Sequence, residues 1–132
     1  MIDAKEYLKK MSAELDGPIK SYIGDEEPKN LMDSSKQYPY AGGKRMRPAM
    51  AVACCGAVGG DKSKAVPLAV AVEYIHNFTL IHDDLMDGDE VRRGMPTIHV
   101  GYGAPTAILA GDALFAKAFQ IICDLDILAE RM

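Results

Sequence analysis

Cysteine is scarce and spaced for no obvious chemistry. Cys54 and Cys55 are adjacent and Cys123 stands far away. The odd count and the lack of any CxxC pair speak against a disulfide framework and a zinc site, and a reducing compartment is expected. A surplus of positive charge is also missing. The 15 Lys and Arg against 19 Asp and Glu leave a formal net charge of -4, which argues against a general nucleic-acid-binding surface and points to small anionic partners met by local basic clusters. There is no uninterrupted apolar run of about 18 residues, the length a spanning helix needs. No charged n-region followed by an apolar core opens the chain, so a secretory leader is not expected and the expected location is cytoplasmic. Convincing period-two alternation, internal repeats and low-complexity tracts are absent as well, so the expected class is all-α.

What is present is enough for a core. The chain has 132 residues, 48% of them hydrophobic, the size of one ordinary domain. Ala4, Tyr7, Leu8, Met11 and Leu15 follow helical spacing behind Asp3, a plausible N-cap, which predicts a helix over 3–16 ending at Gly17 and Pro18. Leu31 and Met32 suggest a short helix ending near Ser35. An Ala-rich helix is predicted from Arg47 to Val58, and a long one from Pro67 through Met86. Gly88 to Gly103 reads as a loop, and Pro105 begins a last helix in which Asp112 looks buried.

Two stretches carry charge in a pattern that suggests chemistry. The first, IHDDLMDGDEVRRGMPT from Ile81 to Thr97, gathers Asp83, Asp84 and Asp87 with Arg92 and Arg93. On a helix Asp83 and Asp87 lie one above the other, with Asp84 about 100° round the cylinder. Carboxylates so close repel unless a cation lies among them. Mg²⁺ is typically held by one or two carboxylates plus substrate phosphates, and arginine forks suit the phosphate oxygens. A solvated acidic helix end followed by a basic turn fits the same residues, but the apolar run leading into them favours the site. The second stretch is KQYPYAGGKRMRP, Lys36 to Pro48. Two glycines beside Lys44, Arg45 and Arg47 let backbone approach an anion, and the following helix points its N–H groups toward the loop. A solvated Gly-Gly turn fits this stretch equally well. His76 lies seven residues before Asp83, hence on the same helix face.

Together these motifs resemble the trans-isoprenyl diphosphate synthases, or polyprenyl synthetases. DDLMD matches their first aspartate-rich motif, RRGMPT its continuation, and GGKRMRP their upstream basic loop. The resemblance implies the N-terminal part of an isoprenoid-synthase-type helical bundle. It further implies a prenyltransferase that joins an allylic diphosphate head to tail with isopentenyl diphosphate, with Mg²⁺ as cofactor and a homodimer as the assembly. It places the metal on Asp83 and Asp87, with Asp84 in the same catalytic cluster. Arg92 is assigned to the allylic diphosphate, and Lys44, Arg47, His76 and Arg93 to isopentenyl diphosphate. Arg45 gains no matched role and reads as a surface charge; His82 reads as packing. Phe78 and Thr79, five and four residues before Asp83, would floor the pocket for the growing chain, which points to a farnesyl or geranylgeranyl product and favours the latter.

The family's second aspartate-rich motif has no counterpart here, and Arg131-Met132 carries no helix stop signal. Residues 1–132 are therefore expected to be the N-terminal half of a polyprenyl synthetase domain, inactive alone. Two alternatives remain at this point. One is a noncatalytic diphosphate-binding or regulatory subunit; the other is a class I terpene cyclase, which shares DDxxD but not the basic loop.

Overall fold

The computed structural model describes residues 3–125; the chain end just discussed lies outside them. Among the described residues the fold is all-α: α1 (Ala4–Ser21), α2 (Lys29–Tyr40), α3 (Met46–Ala57), α4 (Lys62–Asp87), α5 (Ile98–Tyr102) and α6 (Ala104–Cys123). A hairpin of two-residue strands, β1 (Val91–Arg92) and β2 (Met95–Pro96), follows α4. Helix α4 is the central element. Its residues Val70, Tyr74, Asn77, Ile81 and Asp84 are buried, and it packs chiefly on α6 and α3, with α1 at its N-terminal half. The Tyr74 hydroxyl donates to the Ile19 carbonyl at 2.6 Å, fixing α1 to α4 through the core.

Several helix limits differ from the expectation, through burial in α1 and α2 and through capping in α4. Helix α1 does not stop at Gly17 and Pro18 but continues to Ser21. A proline inside a helix costs about 3 kcal/mol. Continuing the helix buries Ile19 completely, below Met11 and Leu15 on one stripe, and leads Ile23 into the core; at about 1.5–3 kcal/mol each the two offset that cost. Helix α2 runs five residues past Ser35, and Tyr38 and Pro39 are buried there. Ser34 and Ser35 turn their hydroxyls back to the Leu31 carbonyl at 2.9 and 2.7 Å, which satisfies them inside the helix. Helix α4 begins at Lys62, before Pro67, because Asp61 caps it by accepting from the Ser63 amide at 2.9 Å.

The predicted loop Gly88–Gly103 contains the hairpin and α5. Arg93 and Gly94 both have positive φ, 52° and 77°, as a two-residue turn of the primed type requires. Asp112 is exposed, with 61% of its side chain accessible, and it is not the buried carboxylate expected from sequence. Helix α6 is, by length and composition, a described helix apolar enough to cross a membrane, with mean hydropathy 1.5. It is interrupted by Asp112 and Lys117 and packs one side against α4, α2 and α5.

Candidate functional site

The accessible stripe of α4 runs from His76 through Thr79 to Asp83 and Asp87, opposite the buried stripe that ends at Asp84. The sequence expectation that Asp83 and Asp87 share a face while Asp84 turns away is met by this exposure pattern. Asp84 is 1% exposed and is taken up inside the fold. Arg92 grips it with Nε at 2.9 and 2.7 Å from the two oxygens and Nη2 at 2.5 Å, and the Tyr38 hydroxyl donates to its second oxygen. Burial alone would push the Asp84 carboxyl up. The hydrogen bonds from Arg92 and Tyr38 outweigh it and hold the group below the usual carboxylate range. Tyr38 responds the other way, its phenol raised first by burial and then by the Asp84 carboxylate.

Asp83 and Asp87 are thus the two carboxylates of the motif that face solvent, one turn apart. Among the described residues no cluster of three or more His, Cys, Asp or Glu closes round one point. A pair of hard oxygen donors fits Mg²⁺, which leaves its remaining positions to water and phosphate, and does not fit a site that needs an all-protein cage.

The second group lies on the N-terminal side of the same stripe. Gly43, Lys44, Arg45, Met46, Arg47, Glu73, His76 and Arg93 line one cleft of about 460 Å³. All four residues expected to hold the second diphosphate, Lys44, Arg47, His76 and Arg93, are brought together here from α3, α4, the hairpin turn and the loop before α3. The hairpin makes this possible. Its turn swings Arg93 over the basic loop, where Nη1 donates to the Gly42 carbonyl. Gly43 has φ 141°, and a Cβ there would stand 3.3 Å from the Arg93 guanidinium, so the close approach favours glycine. Gln37 donates to the Pro96 carbonyl at 2.8 Å and ties the hairpin to α2.

Arg47 Nη1 lies 3.3 Å from His76 Nε2. Burial first, and the Arg47 cation second, lower the His76 pKa from its ordinary 6.5. Neutral His76 can accept from Arg47 through Nε2 and keep its proton on Nδ1. Arg45 departs from the reading as a surface charge. It is 3% exposed and its guanidinium is paired with Glu73 at 2.8 Å and Asp16 at 3.2 Å.

Phe78 and Thr79 lie one turn below Asp83. Thr79 is exposed, its hydroxyl donating to the His76 carbonyl at 2.7 Å. The Phe78 ring is half-buried, edge-on to His82 at 4.7 Å and 5.1 Å from Phe115, whose ring in turn lies 4.8 Å from Phe119. His82 packs as expected, with Nε2 at 3.1 Å from the Ile108 carbonyl, and its ring occupies the space a side chain at Gly111 would fill. Sequence reasoning missed Tyr38 and Glu73 as parts of this region. Glu73, an acid in an apolar stretch of α4, carried a signal; Tyr38, in the mostly polar α2, carried none.

Comparison with known proteins adds to this geometry. Residues 28–132 match the polyprenyl synthetase family profile. A short chain isoprenyl diphosphate synthase of Methanothermobacter thermautotrophicus is 48% identical over 122 residues, 92% of this chain and 38% of the relative. The solved geranylgeranyl pyrophosphate synthetase of the archaeon Geoglobus acetivorans superposes with TM-score 0.87 at 44% identity, covering 90% of this chain and 39% of that one. The geranylgeranyl pyrophosphate synthetase of Pyrococcus horikoshii gives 0.86 at 44% identity, covering 91% and 38%. The chain therefore spans somewhat under two-fifths of the length of these relatives.

Proposed function

The chain belongs to the polyprenyl synthetase family, and from that premise we propose that it supplies the diphosphate-binding part of a prenyltransferase that joins an allylic diphosphate head to tail with isopentenyl diphosphate. The observation that carries the reading is the pairing of two sites along one accessible stripe of α4: a basic cleft of Lys44, Arg47, His76 and Arg93, and the exposed carboxylates Asp83 and Asp87 beyond it. Two anionic substrates need two such sites. A class I terpene cyclase needs only the second, so the basic cleft favours the synthase.

The roles follow from the donors each residue presents. Lys44, Arg47 and Arg93 offer cationic N–H groups to the isopentenyl diphosphate, and His76, uncharged when the cleft is empty, adds a donor without adding to their mutual repulsion. Asp83 and Asp87 would hold Mg²⁺, which when bound neutralises charge on the allylic diphosphate as it departs. Arg92 spends its Nε and Nη2 edge on Asp84 and is held rigidly, with Nη1 left to reach the same diphosphate. Asp84 acts through Arg92 and not as a metal ligand. Phe78 and Thr79 floor the tail pocket, and apolar helix walls keep water from the reacting carbon. A farnesyl or, more in keeping with the named relatives, a geranylgeranyl product is the expected outcome, from a cytoplasmic homodimer.

Replacing Asp83 or Asp87 with alanine in the native protein is expected to lower turnover by several orders of magnitude and to abolish the Mg²⁺ dependence of allylic diphosphate binding. Near-normal turnover in either variant would overturn the metal assignment.

A further inference from the structure

We propose that Arg45 is a positioning residue that sets its neighbours Lys44 and Arg47 on the diphosphate cleft and so sets the affinity of that cleft; the inference rests on the reading of the cleft just given. Three basic residues stand within four positions, and the fold treats them oppositely. Lys44 and Arg47 are exposed at the cleft, while the Arg45 side chain is 1% accessible. Its Nη1 donates to Glu73 on α4 at 2.8 Å, and its Nη2 to Asp16 on α1 at 3.2 Å and to the Pro39 carbonyl on α2. One planar fork therefore fastens the loop to three helices at once, which the single ammonium of a lysine cannot do.

The backbone shows what this anchoring holds in place. Arg45 has φ 46° and ψ 36°, a left-handed conformation that a non-glycine residue keeps only where its surroundings impose it. That residue is also the N-cap of α3. Its conformation turns the chain from the positive-φ glycine pair and Lys44 into the helix, so it fixes both where Lys44 ends and the direction of the first turn, which carries Arg47.

A second consequence is electrostatic. Glu73 lines the cleft and is 3% exposed, so an unpaired carboxylate there would repel the incoming diphosphate. Arg45 cancels it. With Glu73 and Asp16 both taking its charge, Arg45 does not compete for phosphate.

The test is the affinity of the native protein for inorganic pyrophosphate and the KM for each substrate. Arg45→Lys, which keeps the charge, is expected to weaken pyrophosphate about tenfold and to raise the isopentenyl diphosphate KM without a matching rise for the allylic substrate. Asp16→Ala serves where Arg45→Lys fails to fold. It removes a negative charge near a basic cleft, so through-space electrostatics alone predict tighter binding, whereas loss of an Arg45 anchor predicts weaker binding by about threefold. Unchanged affinity in a folded Arg45→Lys, or unchanged or tighter binding in Asp16→Ala, would overturn the proposal. Lys44→Ala is the control for the underlying site. If it leaves pyrophosphate binding intact the cleft reading itself fails; if it weakens binding while Arg45→Lys does not, the positioning role alone fails.

Discussion

His76 is kept neutral by two effects of the same sign, burial and the Arg47 cation, and both act before any substrate arrives. A diphosphate entering the cleft brings the opposite charge and should raise the imidazole pKa. Linkage then fixes the sign of two pH effects. In the empty protein the folded-state pKa is below the unfolded value of 6.5, so this contribution to stability is complete above 6.5 and is lost as pH falls through the folded value. The His76 contribution to diphosphate affinity should change the other way, rising as pH falls from the bound-state pKa to the lower free-state one, because the bound state takes up the proton more readily. An NMR titration of the His76 ring with and without pyrophosphate checks both; a free-state pKa at or above 6.5, or no upward shift on binding, would sink the argument. His76, Asp83 and Asp87 were legible because helical period alone puts them on one face. Arg45 was not, since nothing local in KRMR says which cation turns inward; its partners Asp16 and Glu73 lie 29 and 28 residues away. Asp84 was half legible: period turns it away from its neighbours, but its partner Tyr38 lies 46 residues away with nothing local to mark it.

Among the elements, α4 and α6 meet at an aromatic column, and the tail-pocket role proposed for Phe78 is tested there. Phe78 lies below the carboxylates, and Phe115 and Phe119 continue the column along α6. A chain growing from a diphosphate at Asp83 down α4 meets the Phe78 ring within about one turn. Phe78→Ala should open that floor and lengthen the product by one or more five-carbon units, read by chromatography of the dephosphorylated prenols. A folded, active variant with an unchanged product distribution would remove Phe78 from the pocket and the length assignment with it. The elements themselves were readable from helical spacing in α1, from long apolar runs in α3 and α4, and from the Pro105 start of α6. Their limits were misread where burial carries a helix through Pro18 in α1 and where the Asp61 cap starts α4 ahead of Pro67. The hairpin escaped because two-residue strands show no alternation; only the Arg93-Gly94 turn marked it, and Arg93 is a rare choice for positive φ.

At the scale of the whole molecule, α6 leaves large apolar side chains partly in solvent among the described residues. Ile108, Leu109, Phe115 and Phe119 are 46%, 56%, 42% and 49% exposed. Monomeric proteins seldom leave so much contiguous apolar surface in water. The relatives, of which this chain spans under two-fifths, have further chain available to cover such a face. Expressed alone, the 132 residues should therefore bind a hydrophobic dye and self-associate, and the paired change Leu109→Glu and Phe119→Ser should shift them toward a monomer in analytical ultracentrifugation. The same isolated chain should yield no condensation product, because a tail pocket open on the α6 side cannot keep water from a reacting carbon. Dye binding and self-association follow from the exposed face alone, whereas the absence of product also tests the pocket's placement beside it. A monomeric, dye-negative chain would show that the face is covered from within. Product formed by the verified 132 residues would show that the helices described here already enclose the reaction.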